Sequence, residues 1–215
     1  MNNNSIKKLT TIAMLSAFAY VSTLLIRIPV VLFLKYDPKD IVITLGGLIY
    51  GPLTAFIVSI IVSFVEMVTI SDTGVIGMIM NILSSCAFAC SASLIYRHNK
   101  TIGNAIKGLI CGCLIVTAVM ILWNYLITPI YMNIPRAEVV KLLVPYLLPY
   151  NLLKSALNAV IIFLLYKPVV RSLRNIGFAQ QSEHQQKQNK SIYGIIGIVL
   201  LVTIILLMLA LKGVI

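Results

Sequence analysis

Asn151, Lys154 and Asn158 stand in an otherwise apolar stretch, at offsets that put all three side chains on one stripe of an α-helix. An ammonium and two carboxamides make a hydrogen-bonding surface: each Asn offers one acceptor and two donors, and Lys offers donors only. In a membrane such a group needs a reason, since a charged side chain at the bilayer centre costs about 3 kcal/mol on insertion scales. Snorkelling toward an interface would hide part of that cost. The stripe is therefore expected to face the protein interior and to line a pocket for something polar.

Glu66, Asn81, Asn124 and Tyr125 complete the polar inventory of the apolar runs. Each has a plainer reading as glue between helices, a contact averaging under about 1 kcal/mol in membranes. Glu66 is either the counter-ion of Lys154 or a carboxylate at the outer end of its helix in contact with water.

The elements that must position these residues are membrane helices. The chain has 215 residues, is 60% hydrophobic and only 11% charged, with a mean hydropathy of +0.99. Polypeptide in lipid must satisfy its own backbone hydrogen bonds, and the apolar runs are of helical length rather than short alternating strands. The expected fold class is an all-α integral membrane protein. Residues 1–174 should form a six-helix membrane domain, 175–191 a polar glutamine-rich linker, and 192–212 an additional transmembrane helix.

Within that bundle the first span is expected from about Leu9 to Ile26. A loop through Lys35-Tyr36-Asp37-Pro38-Lys39-Asp40 leads to a helix, Ile41 to Tyr50, too short to cross about 30 Å of hydrocarbon. Asp40 is a candidate cap for that helix and Asp72 for the fourth, Gly74 to Tyr96. Gly51-Pro52 reads as a tight turn, and Thr128-Pro129 as the end of the fifth helix. The sixth, about Val144 to Tyr166, should bend at Pro145 and Pro149.

A net charge of +11 suggests nucleic acid in a soluble protein, but here the basic residues lie between apolar runs and report topology. Lys7, Lys8, Arg97, Lys100, Lys107, Lys167, Arg171, Arg174, Lys187 and Lys190 outnumber Lys35, Lys39, Arg136, Lys141 and Lys212 on the other side. That bias predicts a cytoplasmic N-terminus and a pocket opening outward. The first apolar run has no small-residue cleavage site and is expected to be retained.

Catalytic chemistry finds no support. His98 falls in a basic loop and His184 in the linker, and no Walker loop, His-Glu-x-x-His pair or Gly-x-Ser-x-Gly turn occurs. Cys86, Cys90, Cys111 and Cys113 lie within spans at spacings unlike the usual zinc sites, and read as small apolar fillers. On the first helix, Ala13 and Ala17 have the small-x-x-x-small spacing that lets another helix approach closely, inside the bundle or from another subunit.

Taken together, Leu34-Lys35-Tyr36-Asp37-Pro38-Lys39-Asp40, Tyr50-Gly51-Pro52, Thr73-Gly74-Val75-Ile76-Gly77 with Asn81, Asn124-Tyr125 with Thr128-Pro129 and Tyr131, and Pro149-Tyr150-Asn151-Leu152-Leu153-Lys154 form an ordered set. In order and spacing the chain resembles the substrate-binding (S) components of energy-coupling factor (ECF) vitamin transporters, in particular the riboflavin-specific ones. The resemblance implies a site near the outer surface, closed by the loop after the first helix, with Asn124, Asn151 and Lys154 as polar ligand contacts. Asn158, Asn81 and Tyr125 are further candidates, with Phe33, Met67 or Met78 available to sandwich a flavin ring. It also implies docking through Ala13 and Ala17 onto a transmembrane coupling subunit that works with two cytoplasmic ATPases. Riboflavin is then the transported ligand, with no cofactor, no enzyme activity and no nucleic-acid partner. The competing expectations are an S component for another vitamin or nucleobase-like solute, and a membrane scaffold or enzyme. The added C-terminal span departs from the six-helix pattern, and packing on the first helix would obstruct docking.

Overall fold

The computed structural model describes residues 3–31, 34–175 and, near the C-terminus, 197, 198, 200–205, 207 and 209. The proposed linker and the ring candidate Phe33 lie outside these residues. α1 (Asn3–Leu25) leads into a two-stranded antiparallel ribbon, β1 (Ile28–Val31) and β2 (Leu34–Tyr36), in which Ile28 pairs with Tyr36. There follow α2 (Lys39–Tyr50), α3 (Pro52–Thr69), α4 (Gly74–His98), α5 (Ile102–Met132), the short α6 (Arg136–Leu142), a π-helical turn (Leu143–Leu147) and α7 (Leu148–Asn175).

Five stretches among the described residues are long and apolar enough to cross a membrane: Ile6–Leu25, Pro52–Thr69, Gly74–His98, Ile102–Met132 and Arg136–Tyr166. Their outward faces carry large apolar side chains such as Leu9, Phe18, Phe56, Phe64, Leu114 and Leu122, as a bundle dissolved in lipid requires. α2 is the short helix expected. Its 12 residues rise about 18 Å, and it packs on α1, α3, α4 and α7 with most of its surface buried. Gly51 turns the chain out of α2 at φ 103°, a conformation open to glycine, and Pro52 starts α3 where its missing N–H costs nothing.

Glycines set the closest helix pair. A Cβ on Gly108 of α5 would lie 2.6 Å from the Ala92 carbonyl oxygen of α4, and one on Gly112 would lie 2.9 Å from that of Phe88. The two backbones are in direct contact, as small residues permit in lipid.

Several local expectations are corrected. α5 does not end at Thr128-Pro129 but runs through Pro129 to Asn133, which caps it in the left-handed region at φ 53°. Pro129 removes one backbone bond, while Thr128 Oγ1 donates to Asn124 Oδ1 at 2.9 Å across the same turn. Pro145 is absorbed by the π-turn, and Pro149 falls in the first turn of α7, where proline is tolerated. Asp72 does not cap α4: Thr73 is the N-cap residue, and Asp72 pairs with Lys35 at 3.4 Å. Asp40 is not a cap either, lying in the first turn of α2 with Pro38 at the N-cap.

Candidate functional site

The polar stripe on α7 faces inward. Asn151 and Asn158 are 6% and 1% exposed, and with Lys154 and Ser155 they line a small cavity closed by Asp40 of α2, Ser84 and Phe88 of α4, and Val116 of α5. The free space is about 10 Å³, room for roughly one water molecule.

Charge in the cavity is arranged by the segment joining the ribbon to α2. Lys154 Nζ lies 3.6 Å from Asp37 Oδ1 and 3.8 Å from Asp40 Oδ2. Ser85 Oγ donates to Asp40 Oδ1 at 2.5 Å. Behind this pair is a second: Lys39 Nζ sits 2.5 Å from Glu66 Oε2 and 4.0 Å from Asp37 Oδ2, with both ends of the Lys39–Glu66 bridge almost fully buried. Asn81 Nδ2 donates to Glu66 Oε2 at 3.0 Å. Glu66 is therefore the partner of Lys39 on α2, neither the counter-ion of Lys154 nor a carboxylate in contact with water.

The same ion pairs explain Asp37. Burial alone pushes its carboxyl upward, but the charges of Lys154, Lys39 and Arg27 outweigh that and hold it below the usual carboxylate range.

The ribbon, a candidate lid, is anchored to α7, the helix that lines one side of this cavity. Tyr36 OH donates to Asn158 Oδ1 at 3.0 Å, and Tyr150 OH of α7 donates to the Lys35 carbonyl at 2.7 Å. Burial pushes the Tyr36 phenol well above its ordinary value, so at neutral pH it remains a donor. On the other side, Arg27 Nη1 donates to the Ile70 carbonyl at 2.8 Å, beside the Lys35–Asp72 pair. The lid is tied to α7 along one side and to the α3–α4 turn along the other.

Of the residues singled out from sequence, Asn151, Lys154 and Asn158 come together. Asn124 is 1% exposed; its Nδ2 donates to the Met120 carbonyl at 2.7 Å and its Oδ1 accepts from Thr128. Asn81 joins the Lys39–Glu66 pair, while Tyr125 is 39% exposed on α5 and is not among the cavity-lining residues. Met67 and Met78 are half-buried and not among those residues either; Phe88 and Val116 supply apolar wall there. Asp37, Asp40, Tyr36, Tyr150 and Ser85 were not read as site residues. For Asp37 and Asp40 a signal was present in the charged Lys35–Asp40 run, since carboxylates near apolar helices are natural partners for a lysine buried among them, whereas Ser85 and Tyr150 gave none.

A second concave surface lies between α1 and α3, a groove of about 370 Å³ lined by Leu9, Ile12, Ala13, Ser16, Ala17, Tyr20, Ile61, Val62 and Val65. It is almost wholly apolar, and the buried Ser16 Oγ has no hydrogen-bond partner. Among the described residues, Ala13 and Ala17 thus lie on an open face and not at a filled contact within the bundle.

The family model for the ECF transporter, substrate-specific component, matches residues 7–167, most of the chain. The chain belongs to this family. This S component is a multi-pass membrane protein of a transport system and not an enzyme. It is 28% identical over 186 residues to the riboflavin transporter RibU of Staphylococcus aureus (strain TCH60), covering 82% of this chain and 97% of that one. It is also 28% identical over 178 residues to RibU of Streptococcus thermophilus (strain ATCC BAA-250 / LMG 18311), with 76% and 82% covered. The riboflavin transporter FmnP of Bacillus subtilis (strain 168) is again 28% identical, over 185 residues, with 79% and 97% covered. A solved S component of a bacterial ECF transporter superposes with a TM-score of 0.67 at 26% identity, covering 79% of this chain and 99% of the other.

Proposed function

We propose that this S component binds riboflavin between α7, α4 and the β1–β2 lid, and that Asn151, Lys154 and Asn158 make polar contacts to it. Asn124, Asn81 and Tyr125 stay in the proposed set as more distant candidates. The observation that carries the reading is the inward-facing stripe of α7: two buried carboxamides and an ammonium meeting at one cavity, with the ribbon tied to the same helix. Riboflavin suits those groups, with an imide edge that both donates and accepts, a ribityl chain of hydroxyls, and a flat apolar ring for walls such as Phe88 and Val116. Three similar proteins named as riboflavin transporters support the choice over another vitamin.

A three-ring solute needs a pocket of several hundred Å³, far more than the free space between the closed walls. Binding therefore requires the lid and the side chains beneath it to move apart. Protein purified in detergent is expected to be yellow, or to quench the fluorescence of added riboflavin at 1:1 stoichiometry. A colourless preparation that quenches nothing overturns the riboflavin assignment.

Delivery inward is proposed to occur with a transmembrane coupling subunit and two cytoplasmic ATPases. The N-terminus is placed in the cytoplasm by the bias of Lys and Arg toward that side. The α1–α3 groove, with Ala13 and Ala17 in it, is the surface offered to the coupling subunit. Ala13→Leu and Ala17→Leu fill it, so riboflavin binding should persist while uptake into cells or proteoliposomes falls at least about tenfold. Parallel loss of binding would instead mean a damaged fold.

A further inference from the structure

The family match ends at residue 167, before the C-terminal segment begins. The described residues of that segment, between 197 and 209, are helical. Ile204 is only 8% exposed, buried in one cluster with Val30, Leu34 and Tyr36 of the lid ribbon and Leu157 of α7, and Leu201 packs against the same cluster. Lower down, a Cβ on Gly197 would come within 2.6 Å of Leu164 Cδ2, so this glycine allows the segment to lie close against α7. Seven residues forward from Gly197 is Ile204, and seven back from Leu164 is Leu157. Gly197 beside Leu164, and Ile204 in one cluster with Leu157, follow the order expected of two antiparallel segments, with Ile204 in the cluster that includes the ribbon.

We propose that the C-terminal helix is a strap that holds the β1–β2 ribbon closed over the cavity and thereby sets how fast solute enters and leaves. Lifting the ribbon takes Val30 and Leu34 out of the cluster they share with Ile204 and Leu201, as well as breaking the polar ties to α7. Contacts made in the closed state alone shift the equilibrium toward it and slow its opening. The identity of the solute rests on the reading above; the clamp does not.

The test uses the full chain without ligand and reads hydrogen exchange at the backbone amides of β1 and β2, with α4 and α5 as internal reference. Two variants weaken the strap differently: Leu201→Ala with Ile204→Ala removes the contact, and Gly197→Ile pushes the helix away from Leu164. Ribbon amides are expected to exchange about tenfold faster in both, with α4 and α5 unchanged. Riboflavin dissociation, followed by fluorescence, should accelerate by a similar factor. Wild-type exchange in the ribbon of both variants overturns the strap whether or not riboflavin binds. Faster ribbon exchange in a protein that binds no riboflavin overturns the solute reading and keeps the strap. Should either variant also loosen α4 and α5, the milder single variant Leu201→Ala decides by the same comparison.

Discussion

Lys154→Ala is expected to weaken riboflavin binding by a hundredfold or more. The loss of one ligand hydrogen bond would account for about 1–3 kcal/mol. The structure raises it, because the ammonium stands between Asp37 and Asp40, and its removal leaves Asp37 the more distant Lys39, at 4.0 Å, and Asp40 the neutral Ser85. Breaking a buried ion pair from one side costs about 3–5 kcal/mol, and a hundredfold in affinity is about 2.7 kcal/mol. The loss falls on the closed state, since Asp37 belongs to the segment that carries the lid. A fluorescence-quenching titration measures it, and an unchanged Kd removes Lys154 from the site. Adding Asp37→Asn to Lys154→Ala should recover part of the affinity if repulsion under the lid is responsible; a contact to the vitamin alone predicts no recovery. The pH dependence follows the same charges. Asp37 is held below the usual carboxylate range in the folded chain, so its contribution is fully present above the unfolded value and is lost as pH falls through the depressed one. The closed lid should accordingly survive mild acid.

Glu66→Ala has the second large effect, on stability rather than on ligand contact. Glu66 and Lys39 join α3 to α2 in a site that excludes solvent, and α2 lies beneath the ribbon and against four other helices. Truncating Glu66 leaves Lys39 with only Asp37, at 4.0 Å, and leaves Asn81 without its acceptor. A loss of about 3–5 kcal/mol is expected, read as a fall in the thermal unfolding midpoint in detergent. Replacing both ends, Lys39→Met with Glu66→Leu, should restore most of it, because an apolar pair of similar volume carries no desolvation cost. If the double variant is as unstable as the single one, the bridge does more than balance charge.

How much of this was legible varied with the physics of each signal. The stripe Asn151, Lys154, Asn158 could be read because polar side chains at helical spacing stand out in an apolar run, and α7 does turn them into the cavity. The short α2 could be read from its length between Asp40 and Gly51-Pro52. The ribbon could not: strands of three and four residues give too little alternation to separate Ile28–Val31 and Leu34–Tyr36 from a loop. Ion partners were equally hidden. Lys154 had one visible carboxylate within the spans, Glu66, whereas its actual partners come from the lid segment and the start of α2. Pro129 misled because a proline in water ends a helix more readily than one in a bundle whose neighbours can support the freed turn.

The bare contact of α4 with α5 at Gly108 and Gly112 has a consequence for how the molecule accommodates a guest. With backbone against backbone, neither helix has side-chain slack to give. The part of the chamber wall that these helices carry, Ser84, Phe88 and Val116, is thus a fixed anvil, and expansion is expected to be borne by α7 and the segments packed on it. Spin labels on the lipid-facing side of α5, at Leu114 or Leu122, would supply a stationary origin from which the travel of every moving part can be measured.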